Sequence, residues 1–220
     1  MNGSTAQELL ARTHALLLDF DGPVCSVFAG IPANTVAEQL RVVLADEGHA
    51  QLPAAVRATS DPFDVFRYAA TLGQAEARYV EAAFTAHELE AITTAEPTPG
   101  AHDLIHSWHQ SGRPLAIVSN NSTQAVRTYL DLHALAHQIN YVSARTSSDV
   151  ALLKPDPHLI NQAVTALDVE PEACTLIGDS LTDIEAAHAA RTAILGYANK
   201  PHKTGPMGDA GAQAVITTLG

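Results

Sequence analysis

Four aspartates at two places in the chain carry the first chemical signal. Asp19 and Asp21 stand two apart in Leu18-Asp19-Phe20-Asp21-Gly22, and Asp179 and Asp183 lie in Gly178-Asp179-Ser180-Leu181-Thr182-Asp183. Alternate side chains of an extended backbone point the same way, so Asp19 and Asp21 can face one pocket. Carboxylates gathered together repel one another and hold their protons more tightly unless a cation lies among them. Hard oxygen donors without Cys or His select magnesium, which takes few carboxylates alongside water and substrate phosphate.

Lys154 is one of three lysines in the chain, in Leu152-Leu153-Lys154-Pro155-Asp156-Pro157. The prolines fix the backbone around it, and its point charge could neutralise a phosphoryl group and a carboxylate nucleophile together. Ser119 and Asn120 follow the apolar run Pro114 to Val118. A hydroxyl and backbone N–H groups at such a place can hold phosphoryl oxygens. Each feature alone has a plain explanation, a turn at Asp19 to Gly22 or a helix cap at Ser119-Asn120. The ordered set of four is far more specific.

Something must bring these residues together. Residues 15 to 20 form a short apolar run that stops at Asp19, Asp21 and Gly22, the pattern of a buried strand ending in a loop. Pro114 to Val118, Ile139 to Val142 and Cys174 to Ile177 repeat it, and Ala193 to Tyr197 and Ala214 to Leu219 do so more faintly. Helical patterns lie between them at about 100–110, 122–135, 157–167 and 181–190. This alternation predicts an α/β fold, a Rossmann-like doubly wound parallel sheet with helices on both faces. Ligands of such sheets collect at the carboxyl ends of the strands, where the polar residues named above all fall.

Residues 26 to 97 break the rhythm. Helical patterns at about 35–46, 62–72 and 74–92 follow one another without a convincing strand, and Asp61-Pro62 reads as an N-cap with proline in the first turn. The plain alternative is that these helices simply pack on the sheet, but the length and continuity of a strandless stretch favour an inserted all-helical cap. The division expected is therefore 1–25 with 98–220 as catalytic core, and 26–97 as cap.

In this ordered set the sequence resembles the haloacid dehalogenase superfamily, in its phosphatase branch with a helical cap of the phosphoglycolate phosphatase-like kind. Asp19, Asp21 and Gly22 match the first motif of that family, Ser119 with Asn120 the second, Lys154 with Pro155 and Pro157 the third, and Gly178, Asp179, Ser180 and Asp183 the fourth. The likeness extends from residue 15 to about 200. It implies a magnesium-dependent phosphatase that passes through an aspartyl-phosphate, with Asp19 as nucleophile and Asp21 as general acid and base. Asp19, the backbone carbonyl of Asp21, and Asp179 would hold Mg2+, with Asp183 acting through a water or orienting its neighbours. Ser119, Asn120 and Lys154 would hold the phosphoryl oxygens of a small phosphorylated metabolite. Three positions depart from the family pattern: Pro23 stands where Thr or Val is usual, Ser26 where an acid often lies, and Arg191 where a helix often ends in Gly.

Two other activities belong to the same superfamily. A haloacid dehalogenase expels halide without a general acid, and Asp21 and the Asp179/Asp183 pair argue against it. A phosphomutase uses the same carboxylates and differs in how the cap excludes water. A non-enzymatic phosphate-binding module would need a missing catalytic group, and none is missing.

Composition narrows the partners. The 220 residues carry a net charge of -12, which argues against nucleic acid or an anionic membrane surface. There is no apolar run long enough for a membrane span and no signal-like start, so the chain is expected to be cytoplasmic, as a monomer or homodimer. Cys25 and Cys174 read as buried thiols. Among 11 histidines, His102, His106 and His109 share a helical spacing and read as a solvated face rather than a zinc site.

Overall fold

The computed structural model describes residues 2–219. Its centre is a six-stranded sheet, and all of its strand pairings are parallel. The strands are β1 (Ala15–Leu18), β4 (Leu115–Ser122), β5 (Tyr141–Arg145), β6 (Cys174–Gly178), β7 (Ala193–Tyr197) and β8 (Ala214–Ile216), in the order β5-β4-β1-β6-β7-β8. β1 is flanked on both sides: Leu18 pairs with Ile117 of β4 and with Ile177 of β6. Asp19 therefore emerges between the ends of the two strands that carry Ser119 and Asp179.

Period-two alternation divides the buried residues between two layers. Leu16 and Leu18 pack with Leu9 of α1 (Asn2–Arg12), Ile105 and Trp108 of α6 (Ala101–Gln110), and Val126 and Tyr129 of α7 (Thr123–Leu132). Ala15 and Leu17 join the other face, with Ile160 of α8 (His158–Leu167), Ile184 of α9 (Leu181–Ala189) and Met207 of α10 (Thr204–Asp209). The α/β, doubly wound reading thus holds, and helices cover both faces.

The segment after β1 is helical apart from its ends: α2 (Ala33–Asp46), α3 (Ala54–Ala58), α4 (Pro62–Leu72) and α5 (Gln74–Ile92). Asp61 caps α4 through Phe63 N, 2.9 Å away, and Pro62 occupies the first turn. Both ends of the segment meet in a two-stranded antiparallel pair, β2 (Cys25–Ser26) with β3 (Glu96–Pro97). Val36, Leu40, Phe66 and Phe84 of these helices lie in one continuous apolar cluster with Leu17, Ala116 and Leu176 of the sheet.

Several expectations need correction. The third strand runs Tyr141–Arg145, displaced from the expected 139–142, because Ile139 still ends a 3-10 turn. The last strand stops at Ile216, and α1, α3 and α10 have no counterpart among the expected helices. His102 is not part of a solvated face: it is half-buried, with Nε2 2.9 Å from the Tyr129 hydroxyl, while His106 and His109 are exposed. Cys25 and Cys174 are free and buried, as expected. Among the described residues no helix is long and apolar enough to cross a membrane.

Candidate active site

The site forms where β1, β4 and β6 end. Lys154, in the turn that follows β5, sends its ammonium between two carboxylates. Nζ lies 2.7 Å from Asp19 Oδ1 and 2.5 Å from Asp183 Oδ1, and donates to Val118 O at 3.1 Å. Lys154 and Asp183 are fully buried and Asp19 is nearly so. Burial alone would lower the lysine's pKa, but Asp183 and Asp19 together outweigh it and push it up. The ammonium is therefore a fixed positive charge.

Asp183 has two tasks, and the sequence at the start of α9 explains both. Its Oδ2 accepts from Ser180 N at 3.0 Å and Ser180 Oγ at 2.6 Å, while Ser180 Oγ accepts from Asp183 N, a reciprocal cap of the helix end. That leaves Oδ1 for Lys154. A side chain at Gly178 would overlap Asp183, so the strand end must be glycine for the helix to start this close.

Asp179 lies beside Gly22, which has φ +114° and whose missing Cβ would fall 2.5 Å from Asp179 Cγ. Both the backbone angle and this close approach require glycine there. Asp179 Oδ2 accepts from Lys203 Nζ at 2.5 Å and Asn199 Nδ2 at 2.9 Å, and Lys203 also donates to the Asp179 carbonyl at 2.8 Å.

Ligand atoms of Asp19, Asp179 and Asp183 lie within 4.8 Å of one another. Burial first, then Asp183, raises the pKa of Asp19 despite Lys154. Burial likewise raises that of Asp179, against the pull of Lys203. Three carboxylates, Asp19, Asp179 and Asp183, face the ammonium groups of Lys154 and Lys203, which leaves negative charge in excess. A hard divalent cation matches both the oxygen donors and that charge, so the residues present fit magnesium.

Asp21 stands apart from this cluster. Its Oδ1 accepts from Val27 N at 3.0 Å, and burial raises its pKa to about 6 even though that hydrogen bond opposes the shift. A carboxyl group so placed can exchange a proton near neutral pH.

The second motif is placed less simply. Ser119 is buried, donating from Oγ to Asn121 Oδ1 and accepting from Asn121 N, both at 3.1 Å. The Asn120 side chain grips the backbone of Lys154: Oδ1 accepts from Lys154 N at 2.8 Å and Nδ2 donates to Lys154 O at 3.1 Å. What Asn120 can offer a phosphoryl group is its backbone, since its side chain is committed to Lys154.

Sequence reasoning missed Lys203 and Asn199, which hold Asp179, and also Glu88, Asn121 and Arg145 behind the second motif. Lys203 could have been noticed as one of three lysines a few residues past an apolar run. Arg145 ends β5 on the same side as the site, beyond the apolar run Ile139 to Val142 that marks this strand in the sequence.

Comparison with known proteins gives a consistent picture. Residues 60–197 match the family model described as haloacid dehalogenase-like hydrolase, a span that holds Ser119, Lys154, Asp179 and Asp183 and begins after Asp19. The phosphoglycolate phosphatase (plasmid) of Cupriavidus necator is 32% identical over 127 residues, covering 55% of this chain and 52% of that protein. Pyrophosphatase PpaX of Halalkalibacterium halodurans is 30% identical over 105 residues, 47% of this chain and 48% of that protein. The chain thus spans about half the length of these curated relatives in the matched regions. Among solved structures, CbbY from Rhodobacter sphaeroides in complex with phosphate superposes with TM-score 0.64 at 20% identity, covering 94% of this chain and 95% of that one. A HAD-superfamily hydrolase of Geobacter sulfurreducens gives 0.63 at 18% identity, over 94% and 96%. At these identities the likeness speaks for the fold.

Proposed function

The chain belongs to the haloacid dehalogenase-like hydrolase family, and from that premise we propose that it is a magnesium-dependent phosphatase acting on a small phosphorylated metabolite through an aspartyl-phosphate. One juxtaposition supports the reading above all: Lys154 Nζ is shared between Asp19 and Asp183, with Asp179 beside them. It sets a carboxylate nucleophile next to a fixed cation, both largely buried, and phosphoryl transfer is chiefly positioning and charge neutralisation. The phosphatase names of relatives such as that of C. necator, and the phosphate bound by the R. sphaeroides protein, agree with it.

In this reading a carboxylate oxygen of Asp19 attacks phosphorus while Asp21 gives its proton to the departing oxygen of the substrate. Lys154 holds a phosphoryl oxygen as charge shifts toward the leaving group. Asp21, now ionised, takes a proton from water, whose oxygen attacks the phosphoryl group on Asp19. Phosphate leaves and the Asp19 carboxylate is restored. The pKa of Asp21, raised to about 6, suits a group that must be acid in one half-reaction and base in the other. Asp19, Asp179 and the Asp21 carbonyl would hold magnesium, with Asp183 orienting them, and the ion supplies further neutralisation of phosphoryl charge. Residues 26–97 act as the cap over a core formed by 1–25 and 98–220, and shelter the reaction from water.

The test is magnesium-dependent phosphate release from a panel of sugar, nucleotide and small-acid phosphates, with halide release from haloacids measured alongside. Asp21→Asn, given an activated aryl phosphate, should accumulate one phosphoryl group on the peptide of residues 15 to 24, read by mass spectrometry after acid quench. Full turnover by metal-stripped protein in chelator, or phosphoryl label on another residue, would overturn the assignment.

A further inference from the structure

Glu88 of α5 is fully buried, and its partners belong to the ends of β4 and β5 rather than to its own helix. Its carboxylate accepts from Asn121 Nδ2 at 2.9 Å, from Ser122 N at 3.0 Å and from Arg145 Nη2 at 2.7 Å. Arg145, at the end of β5, is equally enclosed. Besides Glu88, its guanidinium donates to Asn120 O at 3.0 Å, Thr85 Oγ1 at 3.2 Å and Glu81 Oε1 at 3.3 Å. It also lies 4.7 Å from the ring centroid of Phe84 and 5.5 Å from that of Phe66. The planar fork thus reaches α5 on one side and the backbone of the second motif on the other, a geometry that a lysine head cannot reproduce.

The chain of contacts continues inward. Arg145 fixes the Asn120 carbonyl, and the Asn120 side chain holds Lys154 by both its backbone N–H and its backbone carbonyl. Lys154 then places its ammonium between Asp19 and Asp183. Withdrawing two charges from water costs about as much as their attraction returns, so a buried pair of this kind adds little net stability over an apolar one. What it does supply is a fixed position.

We propose that Arg145 and Glu88 form a latch that fixes α5 on the core and, through Asn120, sets the position of Lys154. Arg145 is a positioning residue, since it touches neither the carboxylate cluster nor Lys154 itself. The proposal rests on the phosphatase reading only for its effect on rate; the mechanical coupling stands apart from it.

Two variants test it, each keeping part of the contact set. Arg145→Lys keeps a charge for Glu88 but cannot also reach Asn120 O, and Glu88→Gln keeps the side-chain shape while it removes the charge and replaces one accepting oxygen by an NH2 group that faces donors. Amide hydrogen exchange of residues 119–122 and 152–156, and kcat and KM for p-nitrophenyl phosphate, are measured against wild type. In whichever variant is folded by circular dichroism, exchange should quicken by about tenfold in both segments. The rate constant kcat should fall about ten- to a hundredfold, the scale of a small misplacement of a catalytic group. KM should stay within about twofold, because the loss lies in the transition state rather than in ground-state binding. Faster exchange confined to α5 and residues 119–122, with 152–156 and kcat unchanged, would make the pair a purely structural contact. A wild-type protein without phosphatase activity would sink the functional reading, and exchange at 152–156 would then decide the latch by itself.

Discussion

Lys203 reaches Asp179 from a turn 24 residues downstream, with Nζ 2.5 Å from Oδ2 and 2.8 Å from the carbonyl oxygen. An ammonium so close to a candidate metal ligand supplies part of the positive charge that the carboxylate cluster needs, and it repels a second cation. Lys203→Met should therefore tighten magnesium or manganese binding by about tenfold, the equivalent of ~1.4 kcal/mol for one nearby charge in a moderately screened site. Isothermal titration of metal-stripped protein measures this. Weaker binding would mean that Lys203 serves to orient Asp179 rather than to compete with the metal.

Lys154→Ala should damage both activity and stability. An exposed lysine head group adds little to folding, but this one is buried between Asp19 and Asp183. Removing one member of a buried ionic set leaves uncompensated charge, at a cost of about 3 kcal/mol or more in metal-free protein. The rate constant should fall by about a hundredfold or more. Urea unfolding and kcat on the same preparation read the two effects; a folded variant with unchanged kcat would remove Lys154 from the site.

The His102 imidazole is held below its ordinary pKa of 6.5, mainly by burial and then by His133, with Asp103 pulling the other way. The folded state thus binds this proton less well than the unfolded chain does. Its contribution to stability is present above pH 6.5 and is lost as pH falls below it, down to the folded pKa. His102→Gln should flatten the fall of Tm between pH 7 and 5. Differential scanning calorimetry across that range checks it, and an unchanged slope would place the titration elsewhere.

Arg191 occupies the left-handed region at φ +60°. It follows α9, where Thr192 N donates to Ala187 O at 2.9 Å and Arg191 N to His188 O at 3.1 Å, the pattern of a glycine-type helix end. The departure from glycine noted in the sequence therefore falls where a side chain is strained, and its exposed pairing with Glu172 at 3.4 Å offsets little. Arg191→Gly should stabilise the fold by up to about 1 kcal/mol. A lower unfolding midpoint in urea would show that the arginine's contacts outweigh the strain.

Short apolar runs ending in polar residues were enough to read the sheet, because a strand buried on both faces leaves a near-continuous apolar signal. The same signal brought Asp19, Ser119 and Asp179 to one edge. Helix α4 could be bounded to the residue, since Asp61-Pro62 opens it and Gly73 closes it. Strands β2 and β3, at two residues each, carry no periodicity to read. Glu88 was also illegible: in a helix rich in charged and polar residues, nothing local marks it as buried. Its partner Arg145 is 57 positions away, and only the folded chain brings the two together. The commitment of the Asn120 side chain to Lys154 was hidden for the same reason.

The two ends of the helical insertion leave and rejoin the core side by side, where Cys25 pairs with Pro97 and Ser26 with Glu96. A segment whose ends coincide can be exchanged for another without rethreading the sheet. Under the proposed division into cap and core, such an exchange would set new helices over an unchanged set of carboxylates. The Arg145 latch sets a condition on that trade. A replacement insertion must bring its own carboxylate to the position of Glu88, or the recombinant will keep every catalytic residue and still hold its lysine loosely.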